Sequence, residues 1–269
     1  IYFRFRSGKM GSLVDKKFPK ITGADFAGDV IAVGLDVNGL KVGDRVFGAS
    51  NAFKGGAMAE KVVVDATMAT QIPSDIDYQI AAAVPVTGLA ALYALRELGR
   101  VKSGADVLVH GSSGGAGLIA VQLAKLFGAR VTGVCGTSGV TATKTAGADA
   151  VIDYKKDTMK FNRPFDLIIN FSGALPFAKA RHYLKIDGRF VEPSPTIPVF
   201  IGSKLANLFR KQKHLMLQTV PRSKDLGYLA DLLAKGELQV TVARTYPFTD
   251  FRQAYLDQET TNSAPSGMS

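Results

Sequence analysis

The sequence predicts an α/β protein, a doubly wound parallel sheet joined to a smaller β-rich unit. From Asp106 onward, short apolar runs alternate with helical stretches. A glycine-rich turn in VLVHGSSGGAGLIAVQLAK (107–125) joins one such run to the helix after it. Upstream, from Ile21 to about Pro73, glycine-punctuated segments of β-like spacing replace that alternation.

The alternating part carries most of the prediction. Strands are expected at VLVH (107–110), VTGVC (131–135), AVID (150–153), DLIINF (166–171) and RFVEP (189–193). Helices are expected around 115–127, 138–146 and 175–184. Strand–helix alternation requires right-handed crossovers and a parallel sheet covered on both faces. Beyond it come a basic helix (203–213), a strand HLMLQTV (214–220), a helix (224–235), a strand QVTVARTYPF (239–248) and a last helix near 250–257. In the first part, FAGDVIAVG, VGDRVFG and GGAMAEKVVVD read as strands of a small antiparallel sheet. AAAVPVTGLAALYALRELG (81–99) reads as the helical link, with Gly99 as its stop.

Composition bounds the function classes. A chain of 269 residues can bury a large core and divide into two domains. With 46% hydrophobic and 21% charged residues it has a globular balance and no sign of global disorder. No apolar run approaches the ~20 residues of a membrane-spanning helix. Cys135 is the only cysteine, which rules out an intramolecular disulfide and a multi-cysteine zinc site and fits a reducing intracellular compartment. The net charge of +10 admits an anionic ligand, membrane surface or nucleic acid. Its one cluster is Lys204, Arg210, Lys211, Lys213 and His214, at the end of a predicted helix. A solvated helix end favoured by the dipole accounts for it, and no nucleic-acid motif accompanies it.

Four glycines, Gly111, Gly114, Gly115 and Gly117, fall within seven residues. After a strand and before a helix, this is the pattern of a dinucleotide-binding turn. One glycine allows the tight turn, one lets backbone amides reach a pyrophosphate, and one lets helix pack on strand. The phosphates would sit where unpaired N–H groups and the helix dipole favour negative charge. Ser112 stands where the usual pattern has its first glycine, and a glycine turn without a ligand is the plain alternative. The next strand ends at Cys135, where NAD-specific folds place an acid on the ribose. Here Gly136, Thr137 and Ser138 follow, with Lys144 further on. Hydroxyls and a cation suit a 2′-phosphate and hence NADPH; an ordinary loop capping the next helix is the alternative.

Six segments together resemble the medium-chain dehydrogenase/reductases, in their zinc-independent quinone oxidoreductase and enoyl reductase branch. They are ITGADFAGDVIAVG, LKVGDRVFG, GGAMAEKVVV, AAAVPVTGLAAL, VLVHGSSGGAGLIAVQLAK and GADAVIDY. PFAKARHYL and DGRFVEPSP are similar to the chloroplast-envelope and mitochondrial members. The resemblance implies a GroES-like catalytic domain, N-terminally incomplete, over 1–85. A Rossmann domain would span 86–238, with a return to the first domain and a polar tail over 239–269. It implies that Ser113, Gly114, Gly115, Ala116 and Gly117 line a pyrophosphate and that Thr137 and Ser138 face the 2′-phosphate. Tyr154 would lie along the adenosine, unless it is only a half-buried strand-end aromatic. Phe171, Ser172, Gly173, Pro193 and Ser194 would border the nicotinamide. An organellar location and a homodimer or a place in a larger assembly are expected with it, while membrane-surface association rests on the basic charge alone.

Departures from the pattern matter as well. Zinc-dependent relatives carry a His-Glu pair where this chain has Ala24 and Asp25, so no metal is expected. His110, His182 and His214 show no ligand spacing. Ala90 stands where many relatives have threonine. The chain starts at Ile1 and ends in TNSAPSGMS, so part of the substrate-pocket wall is expected to be missing or altered. Tyr2, Lys54 and Thr87 are polar candidates for the cleft, and nothing in their spacing fixes a proton donor. Three classes are weighed. They are an NADPH-dependent reductase of quinones or α,β-unsaturated carbonyls, a degenerate member serving as an accessory subunit of a larger organellar assembly, and a charge-driven nucleic-acid or membrane-surface protein.

Overall fold

The computed structural model describes residues 21–50, 55–193 and 197–263. The first unit is a three-stranded antiparallel sheet of β1 (Asp25–Asp29), β2 (Arg45–Ala49) and β3 (Ala69–Gln71), in that order. Phe47 and Ala49 on β2 are fully buried. Gly48 between them has no room for a Cβ, which would overlap the Met68 carbonyl. Arg45 ties the sheet to the segment after β3, donating to the carbonyls of Ser74 (3.0 Å) and Ile76 (2.8 Å).

The helical link is broken into α1 (Tyr78–Ala82) and α2 (Pro85–Leu92), which runs on as a wider π turn over Tyr93–Gly99. Asp77 starts α1 by accepting the Gln79 N–H at 2.7 Å, and Pro85 opens α2, where its missing N–H costs no helical bond. Gly99 ends the run as expected, but for packing: a Cβ there would overlap the Leu167 side chain. The left-handed corner itself falls to Arg100, at φ 52°.

The second unit is a six-stranded parallel sheet in the order β6-β5-β4-β7-β8-β9. Its strands are β4 (Asp106–His110), β5 (Arg130–Cys135), β6 (Ala150–Asp153), β7 (Phe165–Asn170), β8 (Leu184–Pro193) and β9 (Lys213–Leu217). Between them lie α3 (Gly115–Leu126), α4 (Val140–Thr145), α5 (Phe177–Ala180) and α6 (Ile197–Phe209), and α7 (Ser223–Ala234) comes after β9. Both faces are dry. Val107, Val109, Leu167 and Ile169 belong to one core cluster, Leu108, Val134, Ile168 and Phe190 to another. Near-continuous apolar strands are what a doubly covered parallel sheet demands. Each such side chain contributes about 1.5–3 kcal/mol by leaving water. Asp225 of α7, buried, is held by Arg96, Arg222 (2.7 Å) and the Tyr93 hydroxyl (3.2 Å), and so fastens α7 to the π turn.

Two expected strands are absent. GGAMAEKVVVD forms no ladder among the described residues. Gly55 and Gly56 turn the chain at φ 69° and 109°, and Met58 N–H then bonds the Thr22 carbonyl at 2.8 Å. The third strand of the small sheet is β3, further along. QVTVARTYPF is also irregular. Its first backbone groups are taken by a side chain instead of a strand: Gln122 accepts from Gln239 N–H at 2.8 Å and donates to its carbonyl at 2.9 Å. The basic helix begins and ends earlier than expected, as α6. The last helix, α8 (Phe251–Ser263), lies where expected and runs longer.

Candidate functional site

The strand order creates a crevice. β4 is flanked by β5 and β7, and the crossovers from β4 run one way while those after β7 run the other. Ligands of open parallel sheets bind at this switch point, outside the carboxyl ends of the strands. The glycine turn comes after β4, Thr137 and Ser138 after β5, Tyr154 after β6, Phe171–Gly173 after β7, and Pro193 ends β8. The carboxyl end of the sheet therefore gathers all the residues expected to bind the cofactor except Ser194, which lies outside the described residues.

Each glycine of the turn has its own reason. Gly111 takes φ 86°, a backbone conformation that a side chain would strain. Gly117 is buried against the turn, where a Cβ would overlap the Gly111 carbonyl. Gly114 differs. It is exposed, it is the N-cap of α3 with φ −76° and ψ 165°, and no side chain caps the helix there. A Cβ on Gly114 would meet only the Gly111 oxygen, at 3.6 Å, so the space above it is open. Gly115 is similarly exposed, with Thr87 Cγ2 3.5 Å from where its Cβ would stand. An uncapped helix N-terminus behind an open glycine ledge fits a dinucleotide's pyrophosphate. Ser113 packs against Gly139, and Ala116 is half-buried on the first turn.

Ser112, which breaks the usual glycine pattern, is fully buried and pairs with the Thr143 hydroxyl at 3.1 Å. Thr143 in turn donates to Cys135 Sγ at 3.6 Å, so the only cysteine is buried in this contact. Serine here pins α4 to the glycine turn.

After β5 and β6 the expected adenosine-side residues stand close together. Thr137 and Ser138 are exposed, but the Thr137 hydroxyl donates to Asp153 at 2.6 Å. That bond from Thr137 holds the Asp153 carboxyl below its usual range, so it is ionised at neutral pH. The Tyr154 hydroxyl stands 3.1 Å, and Lys155 Cε 3.7 Å, from where a Cβ on Gly136 would be. Lys155 was missed from sequence; the Lys-Lys pair directly after the VIDY strand was the available signal.

At the other end, His110 is buried beside Ser172, Nδ1 to Oγ 2.5 Å. Burial pushes its imidazole down to about 4, so the ring is neutral at pH 7. Thr87 donates back to the Ala83 carbonyl at 2.8 Å and is no free acid. Tyr2 and Lys54 lie outside the described residues. Ala90 packs against the core. His182 is exposed on a turn, and His214 is buried between Glu192 (2.7 Å) and the Phe177 ring. Lys213 caps the end of α6 through the Asn207 and Arg210 carbonyls, so with the buried His214 it departs from the solvated face expected of the basic cluster. Among the described residues, no group of three or more His, Cys, Asp or Glu is placed to hold a metal ion. None of the described helices is long and apolar enough to cross a membrane.

These features are those of a dinucleotide-binding type of α/β fold, a parallel sheet preceded by a small antiparallel unit. Residues 3–74 match the alcohol dehydrogenase GroES-like domain family and residues 146–264 the zinc-binding dehydrogenase family. The chloroplastic quinone-oxidoreductase QR1 of Triphysaria versicolor is 30% identical over 94% of this chain and 80% of its own. The mitochondrial NAD(P)H oxidoreductase RTN4IP1 of Bos taurus is 31% identical over 91% of this chain and 68% of its own. The Escherichia coli quinone oxidoreductase solved with NADPH superposes with a TM-score of 0.80 at 26% identity, covering 97% of this chain and 84% of that one. The chain belongs to the medium-chain dehydrogenase/reductase family, among its quinone oxidoreductase-like members.

Proposed function

We propose that this protein is an NADPH-dependent, zinc-independent reductase of quinones or α,β-unsaturated carbonyls. The observation that carries the reading is Gly114: an open, unstrained ledge at an uncapped helix N-terminus, where unpaired N–H groups favour a phosphate. Ser113 to Gly117 would hold the pyrophosphate, and Gly136, Tyr154 and Lys155 would receive the adenosine half. Phe171, Ser172, Gly173 and Pro193 would border the nicotinamide, and Ser194 extends that stretch. Bound NADPH would supply a hydride to an electrophilic carbon of the acceptor. The chain's own part is to bind, orient and screen the reacting face from water. Thr137, its proton spent on Asp153, orients that carboxylate, while Ser138 and Lys155 remain for a 2′-phosphate.

The division into residues 1–85, 86–238 and 239–269 is part of this proposal. So is an organellar setting, which the chloroplastic and mitochondrial names of the relatives support. A homodimer acting on a quinone is proposed on the same likeness.

The test is a titration with NADPH and NADH, then turnover on a quinone and an enone before and after exhaustive chelation. Saturable NADPH binding with turnover that survives EDTA or phenanthroline is expected. Stoichiometric zinc, with activity lost on its removal, would overturn zinc independence. NADPH binding without turnover on either acceptor would leave the accessory-subunit reading in its place.

A further inference from the structure

His110 ends β4, the central strand at the switch point, and its side chain is 7% exposed. Its backbone and its ring both grip the segment after β7. The His110 carbonyl accepts from Phe171 N–H at 2.9 Å and from Ser172 N–H at 3.3 Å. Nδ1 lies 2.5 Å from Ser172 Oγ. The protons in this contact can be assigned by elimination. Asn170 Nδ2 donates to the Leu175 carbonyl at 2.9 Å, which orients the amide and turns Oδ1 toward Ser172. Ser172 therefore gives its one proton to Asn170 Oδ1, at 3.0 Å. Ala174 N–H donates to the same hydroxyl at 3.1 Å. The remaining partner of Ser172 Oγ has to be a donor, so the ring carries its proton on Nδ1.

We propose that His110 is a positioning residue for the nicotinamide end of the site. As the Nδ1–H tautomer it fixes the Ser172 hydroxyl, and through it the turn 171–174, against the glycine turn. This rests on the reading of the chain as an NADPH-dependent reductase. Gly111 shows how little slack the arrangement has: a Cβ there would come within 2.9 Å of Ser172 N. Low pH does not release the hold, because a second proton goes to Nε2 and leaves Nδ1–H in place.

The experiment compares His110→Leu, His110→Asn and His110→Gln in the full chain. An asparagine amide reaches about where Nδ1 stands, and a glutamine amide about where Nε2 stands. Leucine and glutamine should lower kcat roughly 10- to 100-fold, the scale of a misplaced reacting group. The NADPH dissociation constant should move by less than about threefold, since the pyrophosphate is held elsewhere. Asparagine should recover most of kcat. Parental kcat in the leucine variant, or equal rescue by asparagine and glutamine, would overturn the proposal. Histidine ring nitrogen NMR of the parent protein gives a second reading that needs no turnover. A neutral Nδ1–H tautomer at His110, perturbed by Ser172→Ala, is expected; the Nε2–H tautomer would overturn it. Absent NADPH binding in the parent protein would instead remove the functional reading, with the tautomer still deciding this one.

Discussion

Asp25 of β1 accepts the backbone N–H of Val86, in the first turn of α2, at 2.6 Å. A carboxyl of the small sheet thus caps the helix that leads into the large one. Burial is the dominant influence on this group and raises it from 3.8 to about 6, against the lowering effect of the Val86 bond. An acid raised on folding favours the native state fully below its unfolded value and loses that contribution as pH rises through about 6. Asp25→Asn keeps the acceptor and removes the charge. Above pH 6 the variant should be the more stable by up to about 3 kcal/mol, with the difference vanishing below pH 4. Thermal melts from pH 3.5 to 8 read this directly, and a variant less stable than its parent at pH 7.5 would refute it.

Gly114 and Gly117 should separate binding from folding. The Cβ of Gly114→Val would meet only the Gly111 oxygen, at 3.6 Å, in a backbone conformation any residue adopts. Its melting temperature should stay near that of the parent while NADPH affinity falls by at least ~100-fold, about 2.7 kcal/mol. Gly117→Ala forces a methyl into the Gly111 carbonyl and should cost about 1–3 kcal/mol of stability. Calorimetry and melting on both variants test the pair; unchanged affinity in Gly114→Val would remove the phosphate-ledge reading.

Cofactor choice should track Lys155 more than Thr137, whose proton is committed to Asp153. Lys155→Ala should weaken NADPH roughly 10-fold, about 1.4 kcal/mol, and leave NADH nearly unchanged. Ser138→Asp, which sets a carboxylate against the same phosphate, should narrow or reverse the preference. Parallel titrations with the two cofactors decide it, and equal losses for both would place Lys155 elsewhere.

The parallel sheet was legible because Leu108 and Ile168 sit in runs apolar on every residue, and that pattern has one stable home. The glycine turn was legible for the same kind of reason: the need for space is written as glycine. Val62, Val63 and Val64 misled, because β-branched residues report a willingness to pair and say nothing about whether a neighbour exists. Gln239 misled for a related cause, since its partner is a side chain 117 positions away. Of the candidate site, the strand-end positions could be read in advance. The proton bookkeeping at Thr137 and Ser172 could not, because it depends on the Asp153 carboxyl and the His110 ring, which only the folded sheet brings alongside.

The pairing of Val107–His110 with Leu167–Asn170 has a consequence for synthesis. The first wall of the crevice, built from β4, β5 and β6, is complete once Asp153 has left the ribosome. The second is not, since closing it joins residues about sixty positions apart, a slow event compared with forming a local helix. Until Asn170 emerges, β4 has an open apolar edge on the side where β7 will sit, and a nascent chain halted there would have the open glycine turn but no cleft.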